Sequence, residues 1–332
     1  MYKVSVVLST YNGEKYIYKQ LASIYNQIDD IHEILIYDDC SKDSTVDICR
    51  NFMRGTEKCK IRVNKNNVGW KKNFFYLLYD CTGDIIFYCD QDDEWNDSKV
   101  KDMVNVFIKH PDALCVSSDW AVIDGNGDSI DEACEVGKNT GGIEKITLDG
   151  KYFFNVPRGC SMAIKRDLLN YINKEYVFNN ETGGTDRILC HIALLLGGMY
   201  KFHKNLFNYR VHDNNVTSNI EKMSSAMYGQ DTLNNRIKIV NLDTLFFFSC
   251  RSVFKDKIIL VKAEKIYQYM TARATFLENR SFKSLVVAIS QAWSLYALYK
   301  VICDGIYLCG YHKKIGKLIN CVLAKLRRSF IW

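Results

Sequence analysis

Ile85-Ile86-Phe87-Tyr88-Cys89-Asp90-Gln91-Asp92-Asp93-Glu94-Trp95 is the stretch on which the reading of this chain turns. It starts as an unbroken apolar run, the pattern of a strand buried on both faces of a parallel sheet. The run stops at Asp90, Asp92 and Asp93, where the carboxyl end of such a strand would meet a ligand. Three carboxylates this close repel one another, each pair by about 4 kcal/mol at ~4 Å and an effective dielectric near 20. A hard divalent cation, Mg²⁺ or Mn²⁺, would relieve that repulsion, and Mg²⁺ typically takes one or two carboxylates together with substrate phosphates. The competing reading is an acidic turn that caps the next helix from Asn96, Asp97 or Ser98. An EF-hand loop starting at Asp90 fails, because Trp95 stands where glycine is needed and Lys101 where glutamate is needed.

Working outward from this stretch, the preceding 84 residues alternate between the two periodicities. Lys3 to Ser9 reads as a buried strand, followed by a Tyr11-Asn12-Gly13 turn and a helix over about Lys15 to Gln27. Glu33 to Tyr37 is a second strand ending in Asp38-Asp39, with Ser44 placed to cap a helix through Cys49 and Met53. Ile61 to Val63 is a third, and Phe74, Leu77, Leu78 and Cys81 share one helix face. This βαβα order specifies a parallel, helix-covered α/β sheet. Neither a G-x-G-x-x-G turn nor a P-loop is present. The strand ends would bring Asp38, Asp39, Asp90, Asp92 and Asp93 to one crevice beside Thr10, Tyr11 and Asn12.

Composition sets the outer bounds. The 332 residues are 48% hydrophobic and 25% charged with two prolines, the profile of a folded globular protein. Thirteen scattered cysteines without a C-x-x-C pair point away from a disulfide framework or a thiolate zinc site and toward a reducing cytoplasm. Met1-Tyr2-Lys3 leads straight into a strand, so no signal peptide is expected. A net charge of +6 is too small to imply nucleic acid by itself.

Ser5-Val6-Val7-Leu8-Ser9-Thr10-Tyr11-Asn12-Gly13-Glu14, Asp38-Asp39-Cys40-Ser41-Lys42-Asp43-Ser44-Thr45, Asn67-Val68-Gly69 and Asp90-Gln91-Asp92-Asp93-Glu94-Trp95 resemble the successive motifs of family 2 glycosyltransferases. The D-Q-D-D-x-W form is similar to a bacterial rhamnosyltransferase-like branch that builds surface polysaccharides. The resemblance is specific over about residues 3–100, fair to about residue 218 and absent beyond. It implies the GT-A fold, with a mostly parallel central sheet, over residues 1–220, leaving 221–332 as a separate C-terminal region that is read from its own pattern. It also implies roles. Thr10, Tyr11, Asn12, Asp38, Asp39 and Asn67 would line the nucleotide pocket, with Asp38 or Asp39 accepting from the base. Asp90 and Asp92 would face the ribose and the metal on the diphosphate, with Asp93 sharing the metal. Cys40 departs from the pattern, which usually carries glycine there.

Further along, Ala113 to Ile123 reads as a strand closed by a turn at Asp124-Gly125-Asn126-Gly127, and residues 131–147 as a loop. Asp119 inside that strand needs a partner: a donor sugar or a salt bridge. Gly159 to Ile164 is similar to the family's acceptor-side strand, with a short helix from Arg166. Asp186 in Gly183-Gly184-Thr185-Asp186-Arg187 falls where the family keeps its catalytic base, although the branch often reads H-D-W-W there; Asp119 and Glu181 are the fallback bases. A plain helix-terminus role for Asp186 is the alternative. Leu206 to Val211 is a late strand, and Tyr209-Arg210-Val211-His212-Asp213-Asn214-Asn215 resembles an element in which Arg210 and His212 face the leaving diphosphate and its metal.

Beyond Glu221 the pattern is helical. Ser284 to Gly310 is apolar but interrupted by Gln291, Lys300 and Asp304, which argues against a membrane span. Tyr311 to Trp332 sets Ile315, Leu318, Ile319, Val322 and Leu326 against Lys313, Lys314, Lys317, Lys325, Arg327 and Arg328, the signature of an interfacial helix on anionic lipid. A homo-oligomer contact is the alternative. The expectation is an inverting, metal-dependent glycosyltransferase at the inner face of the cell membrane. It would move a sugar from a dTDP-rhamnose or UDP-hexose type of donor to a saccharide or lipid-linked saccharide. A sugar nucleotidyltransferase and an inactive carbohydrate-binding scaffold are the rival readings.

Overall fold

The computed structural model describes residues 2–130, 139–148, 156–179, 184–213, 215 and 233–308. Strands β1 (Val4–Thr10), β2 (Glu33–Asp38), β3 (Cys59–Val63) and β4 (Ile85–Cys89) pair in parallel in the order β3-β2-β1-β4. Helices α1 (Ile17–Tyr25), α2 (Thr45–Phe52) and α3 (Trp70–Asp80) connect them. The apolar run of β4 is buried on both sides, as its composition requires. Ile85, Phe87 and Cys89 pack with Leu8, Ile17 and Leu21 on one face, whereas Ile86 and Tyr88 join Phe74 and Leu78 on the other.

After β4 the chain departs from the parallel pattern. A two-residue strand β5 (Glu94–Trp95) precedes α4 (Lys99–Lys109), β6 (Cys115–Ile123), β7 (Ile143–Ile146), β8 (Met162–Lys165) and β9 (Met199–Arg210). β8 inserts antiparallel between β4 and β6; β6 and β9 are parallel; β5 and β7 are antiparallel to β9. The sheet is therefore mixed. Three expectations change here. Strand β9 begins at Met199 rather than Leu206, because the polar Lys201 and His203 that mask it satisfy Asp119 across the pairing with β6. The stretch read as a loop, 131–147, contains β7, whose partner is 53 or more residues away in sequence. Gly159–Ser161 form a tight helical turn before β8, with a second one over Arg166–Tyr171.

Short α5 (Lys174–Asn179) and α6 (Thr185–Leu196) precede β9. The C-terminal region contributes α7 (Leu233–Ser249), α8 (Lys257–Asn279), α9 (Phe282–Ser290) and α10 (Leu295–Leu308). Their inner residues, among them Phe247, Tyr269, Leu277 and Val301, share one apolar cluster with Ile188 and Ile192 of α6 and Phe75 of α3. The apolar stretch from Ser284 is broken between α9 and α10, and no helix among the described residues is long and apolar enough to cross a membrane. The basic stretch Tyr311 to Trp332 and Glu181 lie outside the described residues.

Candidate active site

The crevice at the carboxyl ends of β1, β2 and β4 is built by acids, but they are not equivalent. Asp38 is 1% exposed and accepts from Thr10 Oγ1 at 2.9 Å and from Ser41 N at 2.8 Å. Asp39, 2% exposed, accepts from Val68 N and Gly69 N at 2.8 Å each and from Asn64 Nδ2 at 3.0 Å. Both side chains sit largely inside the walls and shape them. Thr10 is likewise buried. Tyr11, 45% exposed, and Asn67, also exposed, present surface to the crevice. Asn12 takes a left-handed backbone (φ 46°) and its Oδ1 accepts from Lys42 N at 2.9 Å, tying the β1 turn to the β2 turn. Cys40 also lies in the left-handed region, at φ 69°. That is why a glycine is usual at this turn: an L side chain is strained there. Ser44 occupies the N-cap of α2 without capping it; Asp43 accepts from Thr45 N at 3.1 Å instead.

The turn after β4 is braced from both sides. Gln91 receives Tyr11 N–H at 2.8 Å and donates to Tyr11 O at 3.0 Å. A Cβ at Gly13 would fall 2.3 Å from Gln91 Oε1, so only glycine admits this brace. Arg210, 0% exposed, clamps the far side: Nε donates to Asp92 O at 2.9 Å, Nη1 to Asp124 O at 3.0 Å, and Nη2 pairs with Glu94. Its guanidinium is consumed in holding the loop, and the expected contact with a diphosphate is corrected accordingly. Asp119 is also withdrawn, 6% exposed and paired with Lys201 Nζ at 2.7 Å, the salt bridge that its burial calls for.

Asp90, Asp92 and Asp93 are turned in different directions. Asp92 Oδ2 lies 2.9 Å from His212 Nε2, and the imidazole packs on Tyr16 with ring centroids 4.6 Å apart. Asp93, 1% exposed, accepts Arg210 N–H on Oδ1 at 3.0 Å. Its Oδ2 meets no hydrogen-bond donor at bonding distance among the described residues. Burial, with Asp92 and Asp186 adding repulsion, pushes the Asp90 carboxyl up to about 7. Burial, then Asp92 and Asp90, raises Asp93 well above the usual carboxylate range. Asp90, Asp93 and Cys160 offer ligand atoms all within 4.8 Å of one another. A divalent cation fits this group on its chemistry: two crowded carboxylates, one with an oxygen lacking a donor, are the oxygen ligands a hard cation takes, and the Cys160 thiol adds a softer neighbour. Asp90 and Asp93 thus stand closest together, while Asp92 and His212, the other two expected ligands, lie against each other.

Two cations beside the acids escaped sequence reading. Lys99 is fully buried, its Nζ 2.7 Å from Cys160 O and stacked between Trp95 and Phe207; burial brings its ammonium down to about 8. Arg158 lies 4.3 Å over the Tyr209 ring, and its charge is felt at Asp90. A basic residue immediately before the Gly159-Cys160 element was the only available signal for it.

Asp186 stands in the first turn of α6, where a Cβ on Gly159 would come 3.4 Å from its own Cβ. Its Oδ1 accepts from Arg187 N at 2.8 Å, and its carboxyl is raised by burial against the lowering effect of that bond and of the Arg187 charge. Its charge in turn is felt at Asp90, so base candidate and acidic cluster share one cleft. A Cβ at Gly184 would stand 2.2 Å from Asp186 Oδ1 and 3.0 Å from the Trp70 ring, which makes glycine obligatory there. Trp70, 37% exposed on α3, supplies an aromatic surface that the Thr185-Asp186-Arg187-Ile188 segment lacks.

Comparison with known proteins agrees with this geometry. Residues 5–170, half of the chain, match the family described as "Glycosyl transferase family 2". The chain is 31% identical over 229 residues to the dTDP-rhamnosyl transferase RfbG of Shigella flexneri, covering 64% of this chain and 74% of that one. It is 24% identical over 302 residues to the GalNAc(5)-diNAcBac-PP-undecaprenol beta-1,3-glucosyltransferase of Campylobacter jejuni, covering 87% and 90%. Among solved structures, TarS 1–349 of S. aureus in complex with UDP-GlcNAc superposes with a TM-score of 0.61 at 17% identity, over 95% of this chain and 92% of that one. The mannosyltransferase PcManGT of Pyrobaculum calidifontis, in complex with GDP-Man and Mn²⁺, gives 0.50 at 17% identity, over 94% and 82%. At that identity the likeness speaks for the fold alone. The mixed sheet, the acidic strand ends and the family match together identify the chain as a glycosyltransferase of family 2 with the GT-A fold.

Proposed function

We propose that the chain carries out inverting transfer of a sugar from a nucleotide-diphosphate donor, of dTDP-rhamnose or UDP-hexose type, to a hydroxyl of a saccharide acceptor. Asp186 takes the acceptor proton as the hydroxyl oxygen bonds to the anomeric carbon and the bond from that carbon to the diphosphate oxygen breaks. The observation that carries this reading is the proximity of Asp186 to Asp90, which feels its charge, with the Asp186 carboxyl raised by burial against the backbone N–H groups that lower it, Arg187 N–H among them at 2.8 Å on Oδ1. A carboxyl raised toward neutrality is a stronger base than an ordinary one. Mg²⁺ or Mn²⁺, when bound, would offset charge on the leaving diphosphate. Asp90 and Asp93 would hold it, with Asp92 and His212 alongside. Asp38 and Asp39 set the walls of the nucleoside pocket, Tyr11 and Asn67 its surface. Arg158, rather than Arg210, supplies the protein's own positive charge near the diphosphate.

Residues 1–220 would carry this chemistry, with 221–332 as a helical region. The relative with coverage extending into that region is named for a polyprenyl-diphosphate-linked acceptor, which supports a lipid-linked saccharide as acceptor in surface polysaccharide synthesis. The basic, amphipathic Tyr311 to Trp332 stretch would then bind the anionic cytoplasmic face of a membrane as a peripheral contact, a homo-oligomer contact being the alternative outcome of a vesicle flotation assay.

The test is Asp186→Asn, which keeps the shape and the helix-terminal position. A positioned base contributes about 10²–10⁴-fold. The variant should bind donor normally and turn it over at least about a hundredfold more slowly; turnover within about threefold of wild type would remove Asp186 from the reaction.

A further inference from the structure

We infer that Asp243, on the C-terminal helix α7, is a positioning residue for Asp186, acting through Arg187; the inference rests on Asp186 being the base. Arg187 follows Asp186 directly and lends it a backbone N–H. Its guanidinium points away from the cleft, into a fork on Asp243: Nε to Oδ1 at 2.7 Å and Nη2 to Oδ2 at 2.5 Å. Asp243 is 4% exposed. Behind it the pattern repeats. The Asp243 charge is felt at Arg273 on α8, and Arg273 Nε and Nη2 meet Asp304 on α10 at 2.6 and 3.2 Å. Asp186, Arg187, Asp243, Arg273 and Asp304 thus alternate in sign from the cleft through three C-terminal helices, set among Phe246, Phe247 and Phe276.

Stability alone does not account for such a chain. Replacing a buried ion pair by apolar residues of similar volume is often neutral or stabilising, because desolvation offsets the attraction. What a forked pair supplies is geometry, since two parallel N–H···O bonds fix distance and orientation together. Here that geometry does two things. It fixes the first turn of α6, and with it the base. It also keeps the Arg187 guanidinium on Asp243, so that Asp186 is not captured in an ion pair of its own.

The experiment uses the full chain and dTDP-rhamnose or UDP-glucose, whichever the wild type consumes, with released nucleotide as the signal. Asp243→Asn should lower kcat at least tenfold with donor KM within twofold. The apolar pair Arg187→Met with Asp243→Leu should unfold at or above the wild-type denaturant midpoint yet keep the tenfold loss in kcat; wild-type kcat in this pair would reduce the chain to packing and overturn the proposal. Should the pair fail to fold, Arg187→Lys keeps the charge without the fork. It should lose at least threefold in kcat at unchanged KM, and an unchanged kcat would equally overturn it. Asp186→Asn separates the two readings: full turnover there removes the base itself, whereas an inactive Asp186→Asn beside a fully active apolar pair removes only the positioning role.

Discussion

The strands on either side of β1 (β2 and β4) each end in acids, and the fold treats the two pairs in opposite ways. Asp38 and Asp39 are surrounded by donors from Thr10, Ser41, Asn64, Val68 and Gly69. Asp90 and Asp93 are as crowded and receive few: Asp93 Oδ2 has none at bonding distance among the described residues, and both carboxyls are raised. Buried carboxylates given donors become structure, because charge-assisted hydrogen bonds are the strong ones. Buried carboxylates denied donors hold a proton or a cation instead. Position at a strand end is common to both pairs; the supply of N–H groups separates a wall from a site.

The largest effect expected of this contrast is on folding. Asp39→Ala removes the acceptor of Val68 N–H in a half-buried turn. It also removes one of the two acceptors of Gly69 N–H and of the Asn64 amide, which keep Asn67 Oδ1 and Asn73 Oδ1. Each lost acceptor costs about 1–3 kcal/mol, and the variant should lose about 2–4 kcal/mol in denaturant unfolding. Asp93→Asn, measured in EDTA, should lose nothing and unfold at or beyond the wild-type midpoint, since the amide matches the protonated carboxyl in shape and keeps an oxygen for Arg210 N–H. Equal losses in the two variants would erase the distinction between the pairs.

The next largest effect is that of the cation. With UDP or dTDP present, Mn²⁺ at about a hundred times its dissociation constant should stabilise the wild-type chain by about 2.7 kcal/mol through mass action. The corresponding thermal shift should disappear in Asp93→Asn and persist in Asp38→Asn. A shift of the same size in all three proteins would place the cation elsewhere.

Much of the fold is legible in the sequence, and the contrast between the acid pairs explains where legibility stops. Buried parallel strands announce themselves as apolar runs, and β1, β2 and β4 lie where those runs do. Their acidic ends follow from chain direction alone. What the sequence withholds is the direction each side chain takes and the partner it meets from far away. Arg210 reads as a cation for a phosphate until the clamp on Asp92, Glu94 and Asp124, 86 or more residues distant, is seen. Lys201 and His203 fall before the strand expected from Leu206 because their partner Asp119 is on another strand. Asp92 and Asp93, adjacent in sequence, separate because one meets His212 and the other turns inward to the Arg210 backbone.

The smallest expected effect comes from a third acid that follows the wall pattern. Glu33, 5% exposed at the start of β2, accepts on Oε1 from Ser5 Oγ at 2.7 Å, from Thr82 Oγ1 at 2.8 Å and from Thr82 N. Burial alone would raise its carboxyl, but the Thr82 backbone bond, the Ser5 and Thr82 hydroxyls and the Lys60 charge together carry it below its ordinary 4.5. A folded pKa below the unfolded one contributes stability that is present above 4.5 and is lost as pH falls through the lowered value. Glu33→Gln retains an oxygen for the same three donors and gives up only the charge assistance, about 1 kcal/mol. Near neutral pH the variant should therefore unfold about 1 kcal/mol earlier than wild type, and the gap should close as the medium is acidified below 4.5. A gap that stays constant down to the acid limit would mean that shape rather than charge holds Glu33. Donor supply would then no longer explain why some buried acids of this sheet serve as walls while Asp90 and Asp93 do not.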